Sequence, residues 1–332
     1  MAEPADDAPR PRAPLVVRFT DQTAERLRTL LAEYPEELAS AQERLRAANV
    51  NDRHRGGVME RAVVNGVELE YEVRGSGEPV LLIGGSHVAD AFVPLLAEPA
   101  LASQYQLIVY QRRGLAGSTH TPPPVSIADQ STDACGLLDH LGVRHAHVAG
   151  QSYGGVIGLQ LALDRPEIVQ SLALLEPALL TVPSGEALMA ELGPCFGAHD
   201  AGDKEGAVAG FMAVISGLDW TACQAVIEEC APGGVDQALK DADTFFTIEI
   251  PALAEWAFGP EQAAAISQPV LSMLGSQTHT VFAEGRELLH SWFPRIQEFD
   301  VQGAGHLLQM QRPESVATGL AEFFAVHPIT SE

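Results

Sequence analysis

Residues 149–158 read AGQSYGGVIG, with Ser152 set between Gly150 and Gly154 and followed by Gly155. Two physical explanations fit that spacing. One is a flexible turn. The other is a strand bending into a helix so sharply that only tiny neighbours fit, which leaves the hydroxyl exposed at the helix N-terminus. A serine held that way suits nucleophilic chemistry if a base lies nearby. The flanks favour the second explanation: HAHVAG (145–150) reads as a buried strand and SYGGVIGLQLALDRPE as a helix, with Ser152 at the junction.

Other chemistries find few residues to use. Cys135, Cys195, Cys223 and Cys230 have neither metal-type nor redox-type spacing. They read as ordinary buried thiols. His145 and His147 share a strand face, but position 149, where a third ligand would fall, is alanine. No metal site is expected. GGSH (84–87) lacks the ending of a phosphate-binding loop, and no cofactor is expected.

The elements that must position Ser152 begin at residue 61. RAVV and VELEYEVRG alternate around Asn-Gly, a hairpin signal. Short aliphatic runs follow at 79–83, 106–110, 145–150, 171–176, 269–274 and 296–301. Continuous rather than alternating runs suit a parallel sheet covered on both faces. Helical patterns separate most of them, near 88–102, 126–141, 153–164, 281–292 and 313–326. Such alternation predicts a doubly wound α/β sheet with right-handed crossovers.

One stretch breaks the rhythm. Residues 177–268 carry no clear strand, only helical patterns near 184–192, 203–217, 219–230, 233–246 and 251–257. An insertion after a strand's carboxyl end lies over the usual ligand crevice, so a helical lid is expected. The expected domains are therefore a disordered tail (1–19), a helical extension with its linker (20–57), the core (58–176 and 269–332) and the lid (177–268).

In the extension, Leu27, Leu31, Tyr34, Leu38, Ala41, Leu45 and Ala48 form one apolar seam, and Pro35 divides it into two helices. A seam so narrow must pack on the rest of the chain or on a second subunit, and a homodimer through these helices is expected.

At this point the chain resembles the α/β-hydrolase fold superfamily over about residues 61–328. LLIGGSH, QRRGLAGS, GQSYGG and VQGAGHLLQMQRPESVA carry the resemblance. It implies an eight-stranded, mostly parallel sheet. It also implies that Ser152 attacks a carbonyl and that His306, in the glycine-flanked QGAGH loop, takes its proton. The oxyanion donors implied are the backbone N–H groups of Tyr153 and, by matching the glycines, of Ser86. Gly85 and His87 of the same loop are pocket candidates. Gln111 and Ala116 depart from an aspartate and a glycine usual in the second segment.

The third member of the triad is missing from its usual place. The family commonly has an aspartate after the seventh strand, three residues beyond a glycine; counting from Gly275 reaches Thr278. Some members place the acid after the sixth strand instead. Here that strand ends LALLEP, which makes Glu176 the candidate, with Asp300 and Glu284 as weaker ones.

The net charge is −24, and residues 1–61 hold ten basic against eleven acidic residues, so nearly all of the imbalance lies beyond them. Such a surface repels phosphate backbones and excludes nucleic acid as a partner. No apolar run approaches the ~18 residues needed to span a membrane. The first residues lack an apolar signal core, so a cytoplasmic location is expected. Over 177–268 there are fourteen acidic residues and two basic ones, Lys204 and Lys240. With Trp220, Phe245 and Trp256 as pocket candidates, the expected substrate is a neutral or cationic, hydrophobic small molecule.

The leading reading is a cofactor-independent serine hydrolase of an ester or lactone, acting through an acyl-enzyme. A lyase or cyclase using the same Ser/His pair, and a degenerate ligand-binding protein without turnover, stay open at this stage.

Overall fold

The computed structural model describes residues 59–330; the expected tail, paired helices and linker of residues 1–57 lie outside them. Eight strands form one sheet in the order β1-β2-β4-β3-β5-β6-β7-β8. They are β1 (Glu60–Val64), β2 (Val67–Gly75), β3 (Glu78–Ile83), β4 (Tyr105–Tyr110), β5 (Ala146–Gln151), β6 (Val169–Leu175), β7 (Val270–Gly275) and β8 (Gln297–Val301). β1 and β2 pair antiparallel, as do β2 and β4, and every other pairing is parallel. Asn65 and Gly66, both at positive φ, close the β1–β2 hairpin, as their residue types require.

Alternate residues of the central strands feed two separate cores. Leu81, Ile83, Val148, Leu172 and Leu174 pack on one face. Val80, Leu82, Ala149, Ala173 and Leu175 pack on the other. That is why these strands read as unbroken aliphatic runs. β8, at the sheet's edge, is exposed except for the half-buried Phe299 and the buried Val301.

The helices Ile127–His140, Tyr153–Asp164, Thr280–Trp292 and Pro313–Ala325 fall where the pattern places them. The first starts at a capping box in which Ser126 accepts from the Asp129 N–H and Asp129 accepts from the Ser126 N–H. The helix expected over 88–102 is different. Pro94 and Pro99 divide that stretch into a 3-10 segment, Val93–Ala97, and one α-turn, Pro99–Ala102. Each proline lacks the N–H that would carry a longer helix through it.

Between β6 and β7 lie Gly185–Asp200, Lys204–Ser216, Trp220–Cys230 and Gly234–Lys240, then a run of Ala242–Thr244, the π-helical Phe245–Glu249 and Ile250–Glu255, and finally Pro260–Ala265. The pattern near 184–192 thus extends eight residues further, through Pro194, and 260–265 forms a helix that periodicity did not signal. Among the described residues no single helix is long and apolar enough to cross a membrane.

Candidate active site

Ser152 joins β5 to the helix Tyr153–Asp164 with φ 53° and ψ −119°. A non-glycine residue there stores backbone strain of about 1–3 kcal/mol, which its surroundings must impose. The glycines show how they do so. A Cβ on Gly150 would strike the backbone of Gly154, and one on Gly154 would lie 2.6 Å from the Gly84 carbonyl oxygen. A Cβ on Gly155 would come within 2.8 Å of Pro177. The Ser152 N–H donates to the Leu175 carbonyl at 3.0 Å, which locks the bend to the end of β6. The Ser152 side chain does not cap its helix, and the residue is half-buried between the buried Gln151 and Tyr153. The hydroxyl is therefore presented rather than spent on local structure.

Glu176 is the first residue past β6 and is itself left-handed, with φ 47°. Its carboxylate is buried and accepts three hydrogen bonds. The Gly275 N–H reaches Oε1 at 2.7 Å, the Thr278 hydroxyl reaches Oε2 at 2.8 Å, and His306 Nδ1 lies 2.7 Å from Oε2. So the threonine standing where the family's usual acid would be is a ligand of the carboxylate that sits elsewhere. Asp300 and Glu284 are engaged away from His306. Asp300 accepts from Arg286 at 2.6 Å, and Glu284 accepts from the backbone N–H and hydroxyl of Ser184, both at 2.7 Å.

His306 hangs on the loop after β8. That loop is tied to the one after β7 by the Gln277 N–H on the Ala304 carbonyl (2.9 Å) and the Gly303 N–H on the Ser276 hydroxyl (2.9 Å). The imidazole stacks on Phe282 with centroids 4.0 Å apart and planes 8° apart. A carboxylate at Nδ1 fixes the tautomer in which Nε2 carries the lone pair. In this state Gln151 faces that lone pair: its amide nitrogen is 3.2 Å from Nε2 and donates to the His306 carbonyl at 3.1 Å. Sequence reasoning missed Gln151 and Thr278, because nothing in their local spacing marks a contact 155 or 102 residues away.

Tyr153 opens its helix, so its N–H has no intrahelical acceptor. Burial pushes its phenol well above the usual range, and the ring lies under the Arg112 guanidinium, 4.9 Å from centroid to carbon. Arg112 is buried and binds the start of the loop after β3. Its Nε donates to the Gly84 carbonyl (2.8 Å), and its Nη2 to the Gly85 carbonyl (2.7 Å) and to the buried Glu249 (2.6 Å). Gly85 is close-packed: a Cβ there would meet Ser152 Cβ at 3.1 Å. Ser86 lines the cavities on both sides of Ser152.

Those cavities are narrow, about 20 Å3 on the His306 side and about 30 Å3 on the other. Of the aromatic pocket candidates, Phe245 lines the second. Trp220 and Trp256 line neither cavity. The Trp256 indole donates to Gln160 at 2.8 Å and stacks on Phe258 instead. His87 is a neighbour at one remove. It is buried against Phe211 and Phe245, at 4.8 and 4.5 Å between centroids, and neither ring nitrogen has a partner among the described residues. Burial depresses its pKa to about 3. His147 is buried with Ser171 at 2.8 Å and Glu78 at 3.0 Å, while His145 is exposed ahead of the strand.

A family model described as alpha/beta hydrolase fold matches residues 79–313. A putative carbamate hydrolase, RutD, of Azorhizobium caulinodans is 41% identical over 107 residues, which is 32% of this chain and 40% of that protein. The chain thus matches well under two thirds of that relative's length. An uncharacterized hydrolase, YugF, of Bacillus subtilis is 24% identical over 79% of this chain and 96% of its own. Among solved structures, the enol-lactonase from Burkholderia xenovorans superposes with a TM-score of 0.67 at 21% identity, covering 80% of this chain and 99% of that one. A thermophilic esterase from Thermogutta terrifontis gives 0.66 at 22% identity, covering 82% and 100%.

Proposed function

The chain belongs to the α/β-hydrolase fold family, and from that premise we propose that it is a cofactor-independent serine hydrolase of neutral, hydrophobic carboxylic esters or lactones. The observation that carries the reading is the 2.7 Å contact from buried Glu176 to His306 Nδ1, set beside a strained, uncapped Ser152. A serine hydroxyl is a poor nucleophile without a base, and an imidazole is a better base when a carboxylate stabilises the imidazolium that forms.

In the proposed cycle Ser152 Oγ attacks the substrate carbonyl as His306 Nε2 takes its proton. Gln151 must yield the Nε2 lone pair for this to happen. The oxyanion develops toward the Tyr153 and Ser86 N–H groups, whose loops are fixed before substrate arrives. His306 then returns the proton to the departing alkoxide. Water attacks the acyl-enzyme by the same route and regenerates Ser152.

The test pairs a label with a substrate panel. A fluorophosphonate probe is expected to label the parent and not Ser152→Ala. Esters and lactones of graded size are expected to be turned over by the parent alone, with Ser152→Ala folded but inert. A Ser152→Ala variant working near the parental rate overturns the reading. The RutD relatives are named for carbamates, whose carbonyl is flanked by two heteroatoms, so an alkyl carbamate belongs in the panel.

A further inference from the structure

Gln309 is completely buried, and neither its amide nitrogen nor its amide oxygen has a partner among the described residues. Buried polar atoms of native proteins are nearly always paired, and a leucine or methionine would fill the same space without the penalty. Gln309 lies three residues past His306 and lines the cavity on the His306 side of Ser152, together with Gln151 and Ser86. The neighbouring cavity, which also reaches Ser152, is walled by Leu180, Leu188, Met189, Leu192, Ile250 and Leu253. Both cavities are largely apolar and share Phe211 and Ile215, but only the His306 side adds amides, Gln151 and the partnerless Gln309.

The two sides have different chemical duties. The group that protonates a leaving oxygen must lie within hydrogen-bond reach of it. His306 therefore marks its own cavity as the leaving-group side, and the other cavity, walled by aliphatic and aromatic side chains, takes the acyl chain. This assignment rests on the hydrolase reading above. A carboxamide offers an N–H and a carbonyl oxygen side by side in one plane. Its complement is another carboxamide or lactam edge, which offers the same two groups in reverse.

We propose that Gln309 is a specificity-determining residue that reads a carboxamide or lactam edge on the leaving-group half of the substrate, while an aliphatic acyl chain fills the other cavity. The preferred substrate is then apolar on one side of the scissile carbonyl and amide-bearing on the other.

Three hexanoate esters of nearly equal size test this: those of glycolamide, hydroxyacetone and isobutanol. The first two leaving groups are similarly activated and differ only in an amide NH2 against a methyl group. The parent is expected to favour the glycolamide ester over the hydroxyacetone ester by about tenfold in kcat/KM, as sites built to pair a polar group disfavour analogues lacking it. In Gln309→Met that ratio is expected to fall to near one. The melting temperature of Gln309→Met is expected to hold or rise, since no pairing inside the protein is lost; a clear fall would overturn the proposal. So would a ratio that survives the substitution, or a parent that hydrolyses all three esters without preference. Calorimetric titration of the intact esters into Ser152→Ala, with and without Gln309→Met, separates this proposal from the hydrolase reading. If the parent cleaves none of them but Ser152→Ala still binds the glycolamide ester tightest, and loses that preference with Gln309→Met, the hydrolase reading fails and Gln309 stands. Equal binding of all three overturns Gln309.

Discussion

In the proposed triad the acid is a single carboxylate, Glu176, on the loop after β6. Glu176→Gln removes the charge that stabilises the imidazolium, and kcat is expected to fall by about two to four orders of magnitude. Thr278→Val removes one donor from the same carboxylate and should cost about tenfold, the worth of one hydrogen bond to a charged group. Asp300→Asn should leave kcat within about threefold, because that side chain serves Arg286. Steady-state rates on one ester rank the three, and a larger loss at Asp300 than at Glu176 would move the acid. Ser152 and Glu176 were legible in the sequence because each sits where an aliphatic run stops at a residue that has no reason to be there. Gln151, Thr278 and Gln309 were not: an amide or hydroxyl in a loop has no signature until the fold brings its partner. His87 gives a pH prediction. Its folded pKa of about 3 lies below the ordinary 6.5, so the unfolded chain binds the proton more readily, and stability falls as pH drops from about 6.5 toward 3. The slope from this one group approaches 1.4 kcal/mol per pH unit. Urea unfolding at pH 7 and pH 5 should show His87→Leu losing about 2 kcal/mol less stability over that interval than the parent.

At the level of elements, the stretch 241–249 of the insertion binds buried parts of the core, while Ser184 and Trp256 hold it elsewhere through Glu284 and Gln160. The Ala116 N–H donates to Asp241 (2.8 Å), the Thr244 hydroxyl to the Gly114 carbonyl (2.6 Å), and Arg112 to Glu249 (2.6 Å). The last pair is almost wholly buried, at 1% and 0% exposure, so removing one partner strands the other charge. Arg112→Met is expected to cost about 3–5 kcal/mol in denaturant unfolding, while Arg112→Met with Glu249→Leu should recover a large part of it. Equal losses in the single and double variants would mean that Arg112 acts through the Gly84 and Gly85 carbonyls alone. Periodicity found the strands and the long helices, where burial on one face repeats. It failed over 88–102, where two prolines outweigh an apolar pattern, and over 241–249, where a helix widens into a π-turn that places Glu249 under Arg112.

Taken whole, the molecule is strongly acidic and its candidate site is narrow. Cavities of about 20 and 30 Å3 hold a water or two, not an ester, so their walls must shift to admit a substrate. The segment Gly185–Ser216, which supplies Leu188, Met189, Leu192 and Phe211 to the cavity walls, makes no bond to the buried Arg112. Any entrance opened there is short of positive charge, since 177–268 carry two basic residues against fourteen acidic ones. A hexanoyl group offered as a neutral ester should therefore be cleaved at least tenfold better, in kcat/KM, than the same group on CoA, and salt should narrow the gap by screening repulsion. Preference for the CoA form, weakening with salt, would reveal a basic entrance.

The hydrogen bond from Thr278 to Glu176 also bears on where an acid can stand. The loops after β6 and β7 converge on one carboxylate, so in the proposed triad an acid on either loop would lie near His306. A chain with carboxylates on both, as Thr278→Asp would make, must hold one protonated against the other, a shared proton in place of the hydroxyl. Removing Glu176 from that variant would then hand the acid's place to the loop after β7.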